Sequence, residues 1–178
     1  MSTVQIKDKA FSIYIPADKI QARIAEIAAQ MNRDYQGLNP VFIGVLNGAF
    51  LFTADLFRQM NGDCEVGFIR VASYSGTQSS GTVKEVLGLG DELKGRHLVI
   101  IEDIVDTGHT AVYLMETVNK LQPASVRFAT LLLKPDALQH AFRPDYVGFE
   151  IPNDFILGYG LDYDGLGRNL NDIYKLIP

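Results

Sequence analysis

The sequence predicts an α/β fold, a twisted parallel sheet flanked by helices, with a small hood lobe over the sheet's edge made from the N- and C-terminal segments. Three observations carry this expectation. Compact apolar runs at Val41 to Val45, Leu98 to Ile101 and Val126 to Leu133 have the length of strands. Segments with helical spacing of apolar residues lie between them, and alternation of strand with helix gives a parallel sheet. Leu98 to Ile101 also lacks polar alternation, as expected of a central strand covered on both faces.

Along the chain, a short apolar stretch at Phe11 to Ile15 leads to Pro16, which a first helical turn tolerates. Ile20, Ile24, Ile27, Ala28 and Met31 then recur at helical spacing up to a stop near Gly37. Val41 to Val45 reads as a strand, Asn47-Gly48 as a tight turn, and Phe50, Leu51, Ala54, Leu56 and Phe57 as the apolar side of a second helix. Glu65 to Ala72 is extended, and the serine-, threonine- and glycine-rich run from Ser73 and Tyr74 to Thr82 cannot form a packed core, so a loop is expected there. After Leu98 to Ile101 a helix runs from Thr110 to Leu121, closed by Pro123. Val126 to Leu133 is a buried strand ending at Lys134-Pro135, and Asp145 to Ile151 and Phe155 to Leu161 are further short strands. The first helix and the C-terminal tail are expected to form the lobe.

With 178 residues, 47% of them hydrophobic, the chain can bury one sizeable core, so residues 1–178 are read as a single domain. No apolar run approaches the roughly 20 residues of a membrane helix, and Met1 to Lys9 lacks the apolar region of a signal peptide, which points to the cytoplasm and away from membranes. The single cysteine, Cys64, excludes an internal disulfide or a cysteine-rich zinc cluster. A net charge of -5 and a pI near 5.1, with no run of Lys and Arg, argue against nucleic acid as a partner. An anionic ligand would therefore need a focused site.

One segment offers such a site: Val99-Ile100-Ile101-Glu102-Asp103-Ile104-Val105-Asp106-Thr107-Gly108-His109-Thr110. Ligands of parallel sheets bind beyond the carboxyl ends of the strands, where the next helix presents its N-terminus. Thr107, Gly108 and Thr110 supply hydroxyls, an unhindered backbone and a helix cap, together a nest for phosphate. Glu102, Asp103 and Asp106 crowd that nest with negative charge. Carboxylates can bind a sugar diol, hold Mg²⁺ or take a proton, so a ligand with both a phosphate and a ribose satisfies every group. The spacing excludes a P-loop and a dinucleotide fingerprint. Asp103 and Asp106 stand three apart, whereas an aspartyl-phosphate enzyme of the dehalogenase type wants two aspartates one residue apart.

An apolar strand followed by Glu-Asp-Ile-Val-Asp-Thr-Gly-x-Thr resembles the phosphoribosyl-pyrophosphate (PRPP) motif of type I phosphoribosyltransferases. Gly44 to Ala49 is similar to that family's pyrophosphate loop, Ser73-Tyr74 to the start of its flexible catalytic loop, and Leu131-Leu132-Leu133-Lys134 to the strand carrying its purine-reading lysine. Val147 to Pro152 and Phe155 to Tyr163 resemble the hypoxanthine-guanine branch, and Arg168 follows at the expected distance. The resemblance implies the type I fold and Mg²⁺-dependent transfer of phosphoribose from PRPP to hypoxanthine or guanine, in a homodimer or homotetramer.

It also implies roles. Glu102 and Asp103 hold the ribose hydroxyls, directly or through Mg²⁺, and Asp106, Thr107, Gly108, His109 and Thr110 bind the 5′-phosphate. Asp106 is the candidate general base at purine N7, with helix capping as its plainer role. Lys134 reads the purine O6, although before a proline turn it could be an ordinary surface lysine. Phe155 stacks on the base and Ile156 offers a carbonyl near its 2-position, although core packing is the common fate of both residue types. Asp162 lies by the purine and binds Mg²⁺ carried on pyrophosphate. Leu46, Asn47, Gly48 and Arg168 bind pyrophosphate, with an unusual peptide at Leu46-Asn47 for which the cis form is the candidate. Ser73 and Tyr74 begin a lid. Two positions vary within the family pattern: His109 stands where Lys, Arg or Leu is frequent, and Asp154 where some members carry lysine. His97 and His140 read as surface or strand-edge residues.

Two rivals remain at this level. A phosphoribosyltransferase for another base keeps the same cradle, and a PRPP-sensing regulator keeps the fold while showing a basic face to nucleic acid.

Overall fold

The computed structural model describes residues 3–73, 83–85 and 90–177. The elements in chain order are β1 (Thr3–Ile6), β2 (Lys9–Ile15), α1 (Ala17–Asp34), β3 (Val41–Leu46), α2 (Phe50–Phe57), β4 (Glu65–Ser73), β5 (Val83–Glu85), β6 (His97–Val105), α3 (His109–Asn119), β7 (Ser125–Leu133), β8 (Tyr146–Glu150), β9 (Ile156–Leu157) and β10 (Ile173–Leu176). The loop expected between Tyr74 and Thr82 lies outside the described residues, and Ser73 closes β4.

Strands β4, β3, β6, β7 and β8 form a parallel sheet in that order, extended by β5, which pairs antiparallel with β4. Successive residues of β6 face opposite cores. Val99 and Ile101 pack with α1 and α2 residues such as Ile24, Met31 and Phe52, whereas Leu98 and Ile100 pack with Ala111, Leu114 and Val118 of α3. Burial on both faces is why this strand carries no polar alternation.

Two expectations need correction. The hood is a four-stranded antiparallel sheet, β1-β2-β10-β9, and α1 is not part of it. The apolar stripe of α1 lies on the main sheet beside α2 and β8, because Ile20, Ile24, Ile27, Ala28 and Met31 bury against Phe42, Ala129 and Leu131. Phe155 to Leu161 is also not one strand. Only Ile156–Leu157 pair with another strand, while Gly158 and Leu161 bridge each other across a tight turn, because Gly158, Tyr159 and Gly160 have φ of 98°, 48° and 100°, left-handed values that end an extended run.

The strand order reverses between β3 and β6: β4 lies beyond β3 on one side, β7 and β8 beyond β6 on the other. The crevice at their carboxyl ends is the topological switch point of an open sheet, where ligands bind.

Candidate active site

Residues from three adjacent strand ends meet at this crevice. β3 delivers Leu46, Asn47 and Gly48, β6 delivers Glu102 to Gly108, and β7 delivers Lys134. β6 runs to Val105, further than its apolar run suggested, so Glu102 and Asp103 lie within the strand and not in the following loop. Two adjoining hollows share Glu102 and Thr110. One, of about 100 Å³, is rimmed by Asp106, Thr107, Gly108 and Ala111; the other, of about 190 Å³, by Val45, Leu46, Gly48, Val71 and Asp103.

The first hollow has the shape of an anion cradle. Its helix cap is Gly108, in a left-handed conformation with φ 84°, not the hydroxyl of Thr110; no side chain caps α3. The His109 N–H makes only a long 3.5 Å contact with Thr107 Oγ1, and the amides after it are left to a ligand, with the helix dipole behind them. Asp106 does not cap the helix either. Its Oδ2 accepts a hydrogen bond from Lys134 Nζ at 2.9 Å. Lys134 is buried, which removes the surface-lysine reading, and Asp106 is about half exposed.

The second hollow has the Leu46-Asn47 peptide at its edge, and that peptide is cis. Gly48 lies directly on the Asp103 carboxylate, so any β-carbon there would overlap it. Gly48→Ala is expected to cost about 1–3 kcal/mol, the usual penalty of overpacking. Thermal unfolding checks this; an unchanged midpoint would mean that Asp103 can move aside freely.

Burial, with Asp103 beside it, pushes the Glu102 carboxyl well above its ordinary range. Burial also pushes Asp103 up to about 6, although the N–H of Ile104 donates to its Oδ1 at 2.9 Å and holds it down. Two adjacent carboxyls perturbed in a cleft mark a functional site and suit a cation, whose charge would reverse both shifts. Because the folded value of Asp103 exceeds the ordinary 3.8, folding favours its protonated form. No cost exists below that value; it builds as pH rises toward 6 and is complete above. Asp103→Asn should therefore stabilise the metal-free protein by about 2–3 kcal/mol at pH 7 and negligibly near pH 4. Denaturant midpoints at the two pH values test this, and a pH-independent difference would contradict it.

The hood completes the crevice. Arg168 donates through Nη1 to the Gly160 carbonyl at 2.6 Å and pairs through Nη2 with Asp162 Oδ1 at 2.6 Å. Asp162 Oδ2 accepts from the Gly165 N–H at 2.6 Å. Gly160 packs on the Gly48 carbonyl closely enough to exclude a β-carbon, which joins the hood to the loop after β3. A contact that no motif announced fixes this junction: Tyr159 OH donates to Asp55 Oδ2 on α2 at 2.6 Å, and Gln21 Nε2 donates to the same oxygen at 2.7 Å. Among the described residues no three His, Cys, Asp or Glu side chains form a group that could hold a metal ion, so Glu102, Asp103 and Asp162 do not make a closed cage.

Phe155 is 45% exposed, edge-on to Tyr163 at 5.7 Å and tilted to Phe11 at 6.1 Å, which leaves ring surface free for a flat ligand. Ile156 is buried. Asp154 pairs with Lys175 Nζ at 2.7 Å, so β10 brings a cation to the position where the sequence itself has an acid. His97 starts β6 and shares a hydrogen bond with Ser125 Oγ at 2.8 Å, a strand-edge role.

A parallel sheet with an anion cradle and an acidic pair at its switch point defines the phosphoribosyltransferase class, and residues 16–164 match the family model of the phosphoribosyl transferase domain. The chain is 43% identical over 174 residues to the hypoxanthine-guanine phosphoribosyltransferase of Mycobacterium tuberculosis (strain ATCC 25618 / H37Rv), covering 94% of this chain and 86% of that protein. It is 38% identical over 176 residues to the hypoxanthine phosphoribosyltransferase of Haemophilus influenzae, covering 97% and 98%. It also resembles the bifunctional protein TilS/HprT of Listeria innocua, 42% identical over 167 residues, of which it spans only 26% of the length. The solved Trypanosoma cruzi hypoxanthine phosphoribosyl transferase superposes with a TM-score of 0.89 at 40% identity, covering 98% of this chain and 95% of that one. The chain belongs to the phosphoribosyltransferase family, in its hypoxanthine-guanine branch.

Proposed function

We propose that this chain, as one catalytic unit, salvages purines: it transfers the 5-phosphoribosyl group of PRPP to hypoxanthine or guanine, giving the nucleoside 5′-monophosphate and pyrophosphate. The observation that carries this reading is the Lys134–Asp106 pair, a donor and an acceptor 2.9 Å apart beside the phosphate cradle. A 6-oxopurine presents the complementary acceptor at O6 and a proton at N7. Adenine would set an amine against the lysine, donor facing donor, so the same pair discriminates.

In the reaction, the bond from C1′ to pyrophosphate breaks as N9 bonds to C1′, and Asp106 takes the N7 proton. Lys134 holds O6, the exposed Phe155 ring stacks on the base, and Ile156 offers its carbonyl near the 2-position. The cradle from Asp106 to Thr110 binds the 5′-phosphate, and Leu46 to Gly48 with Arg168 receives pyrophosphate. Mg²⁺, when bound, would neutralise charge on the phosphate oxygens, and Glu102, Asp103 and Asp162 would hold it. Such an open acidic set suits Mg²⁺, which keeps waters and substrate oxygens among its ligands. Ser73 and Tyr74 would begin the lid that keeps water out.

The acidic surface argues against nucleic acid as a partner, which disfavours the regulator reading. Among the described residues no helix is long and apolar enough to cross a membrane, in keeping with a cytoplasmic enzyme. The functional form proposed is a homodimer or homotetramer. A competition assay with PRPP, Mg²⁺ and hypoxanthine, guanine, xanthine and adenine tests the assignment. Turnover of hypoxanthine or guanine over adenine is expected, and preference for adenine or a pyrimidine would overturn it.

A further inference from the structure

His109 is the first residue of α3, at the lip of the cradle, and His140 comes from the segment after β7. His140 Nε2 lies 2.6 Å from His109 Nδ1, with the rings edge to face at 4.5 Å. The other nitrogen of His109, Nε2, is 3.0 Å from Gln139 Oε1. The segment is bound to the cradle by its backbone as well: Gln139 N–H donates to the Thr107 carbonyl at 3.0 Å. A β-carbon at Gly108 would touch Leu138 and His140, so the two loops are in close contact.

Hydrogen bonding fixes the protons of the neutral pair. Gln139 Oε1 accepts, so His109 carries its proton on Nε2, and His140 must donate from Nε2 to His109 Nδ1. That leaves His140 Nδ1 as the place for an added proton. An imidazolium beside the cradle would gain a favourable charge interaction once a phosphate dianion fills it.

The surrounding charges leave this role to the histidines. Asp106, in the cradle, is engaged by Lys134. Arg143 and Glu150, which share with His140 the wall of a cavity of about 480 Å³, pair with each other at 3.7 Å. Asp136 lies in the exposed turn after Lys134, and α3 brings no acid before Glu116.

We propose that His140, acting through His109 with Gln139 as anchor, is a positioning residue of the 5′-phosphate site, and that phosphate binding there draws a proton onto the histidine pair. The inference rests on the phosphoribosyltransferase reading only in taking a nucleoside 5′-monophosphate as the ligand.

Calorimetric titration of the full chain with inosine 5′-monophosphate, near pH 7.5 in two buffers of different ionisation enthalpy, counts the protons taken up. Wild type is expected to take up a substantial fraction of a proton. His140→Gln, which keeps a hydrogen-bond donor, should take up less, and the His109→Gln/His140→Gln double variant none. From pH 8.5 to 6.5 the affinity advantage of wild type over His140→Gln should grow to about tenfold, which a merely structural role would not produce. Equal proton uptake in wild type and His140→Gln, with binding intact, overturns the histidine proposal alone. Absence of nucleotide binding at every pH overturns the functional reading and this inference together.

Discussion

Replacing Asp106 by alanine is expected to lower kcat by about 10²–10⁴-fold, the usual contribution of a general base. Some stability should be lost as well, because Lys134 is buried and alanine removes its carboxylate partner. Alanine also releases Lys134, so Asp106→Asn is the informative companion. Its amide oxygen can still accept from Lys134 Nζ but cannot take a proton at neutral pH. Steady-state turnover with hypoxanthine should be low in both variants. Near-normal turnover in Asp106→Asn would reduce Asp106 to an anchor for the lysine.

Lys134→Met has the second large effect. Methionine keeps an unbranched stem in the buried space at the end of β7 and removes the charge. The lost interaction with O6 is a charge-assisted hydrogen bond of about 1.5–3 kcal/mol, so kcat/KM for hypoxanthine should fall roughly 10- to 150-fold. Discrimination against adenine should shrink by a similar factor, because the donor that opposes the adenine amine is gone. The unfolding midpoint should hold, since a buried charge has been exchanged for an apolar group of similar length. Lost stability with unchanged base preference would assign Lys134 to the fold.

Much of this site was legible because its residues lie in contiguous runs tied to strand ends. Leu98 to Ile101 announced a doubly covered strand, and the motif that follows could only emerge at the sheet's carboxyl edge. The Lys134-Pro135 stop worked in the same way. The hood was less legible. Phe11 to Ile15 and Ile173 to Leu176 are too short to show their pairing partners, which lie more than 150 residues apart in the chain. The glycines at 158 and 160 mark a break in the strand only once their φ values are known. Cap chemistry misled as well: Thr110 has the residue type of a cap, yet Gly108 with positive φ ends the loop one residue before α3 begins. Contacts without a motif were invisible, among them Tyr159 with Asp55 and His109 with His140. Tertiary packing alone brings those residues together.

The central claim is the reaction itself, and product analysis tests it most directly. Purified protein given hypoxanthine, PRPP and Mg²⁺ should form inosine 5′-monophosphate and pyrophosphate in equal amounts, and guanosine 5′-monophosphate when guanine replaces hypoxanthine. Absence of nucleotide with both bases would contradict the account.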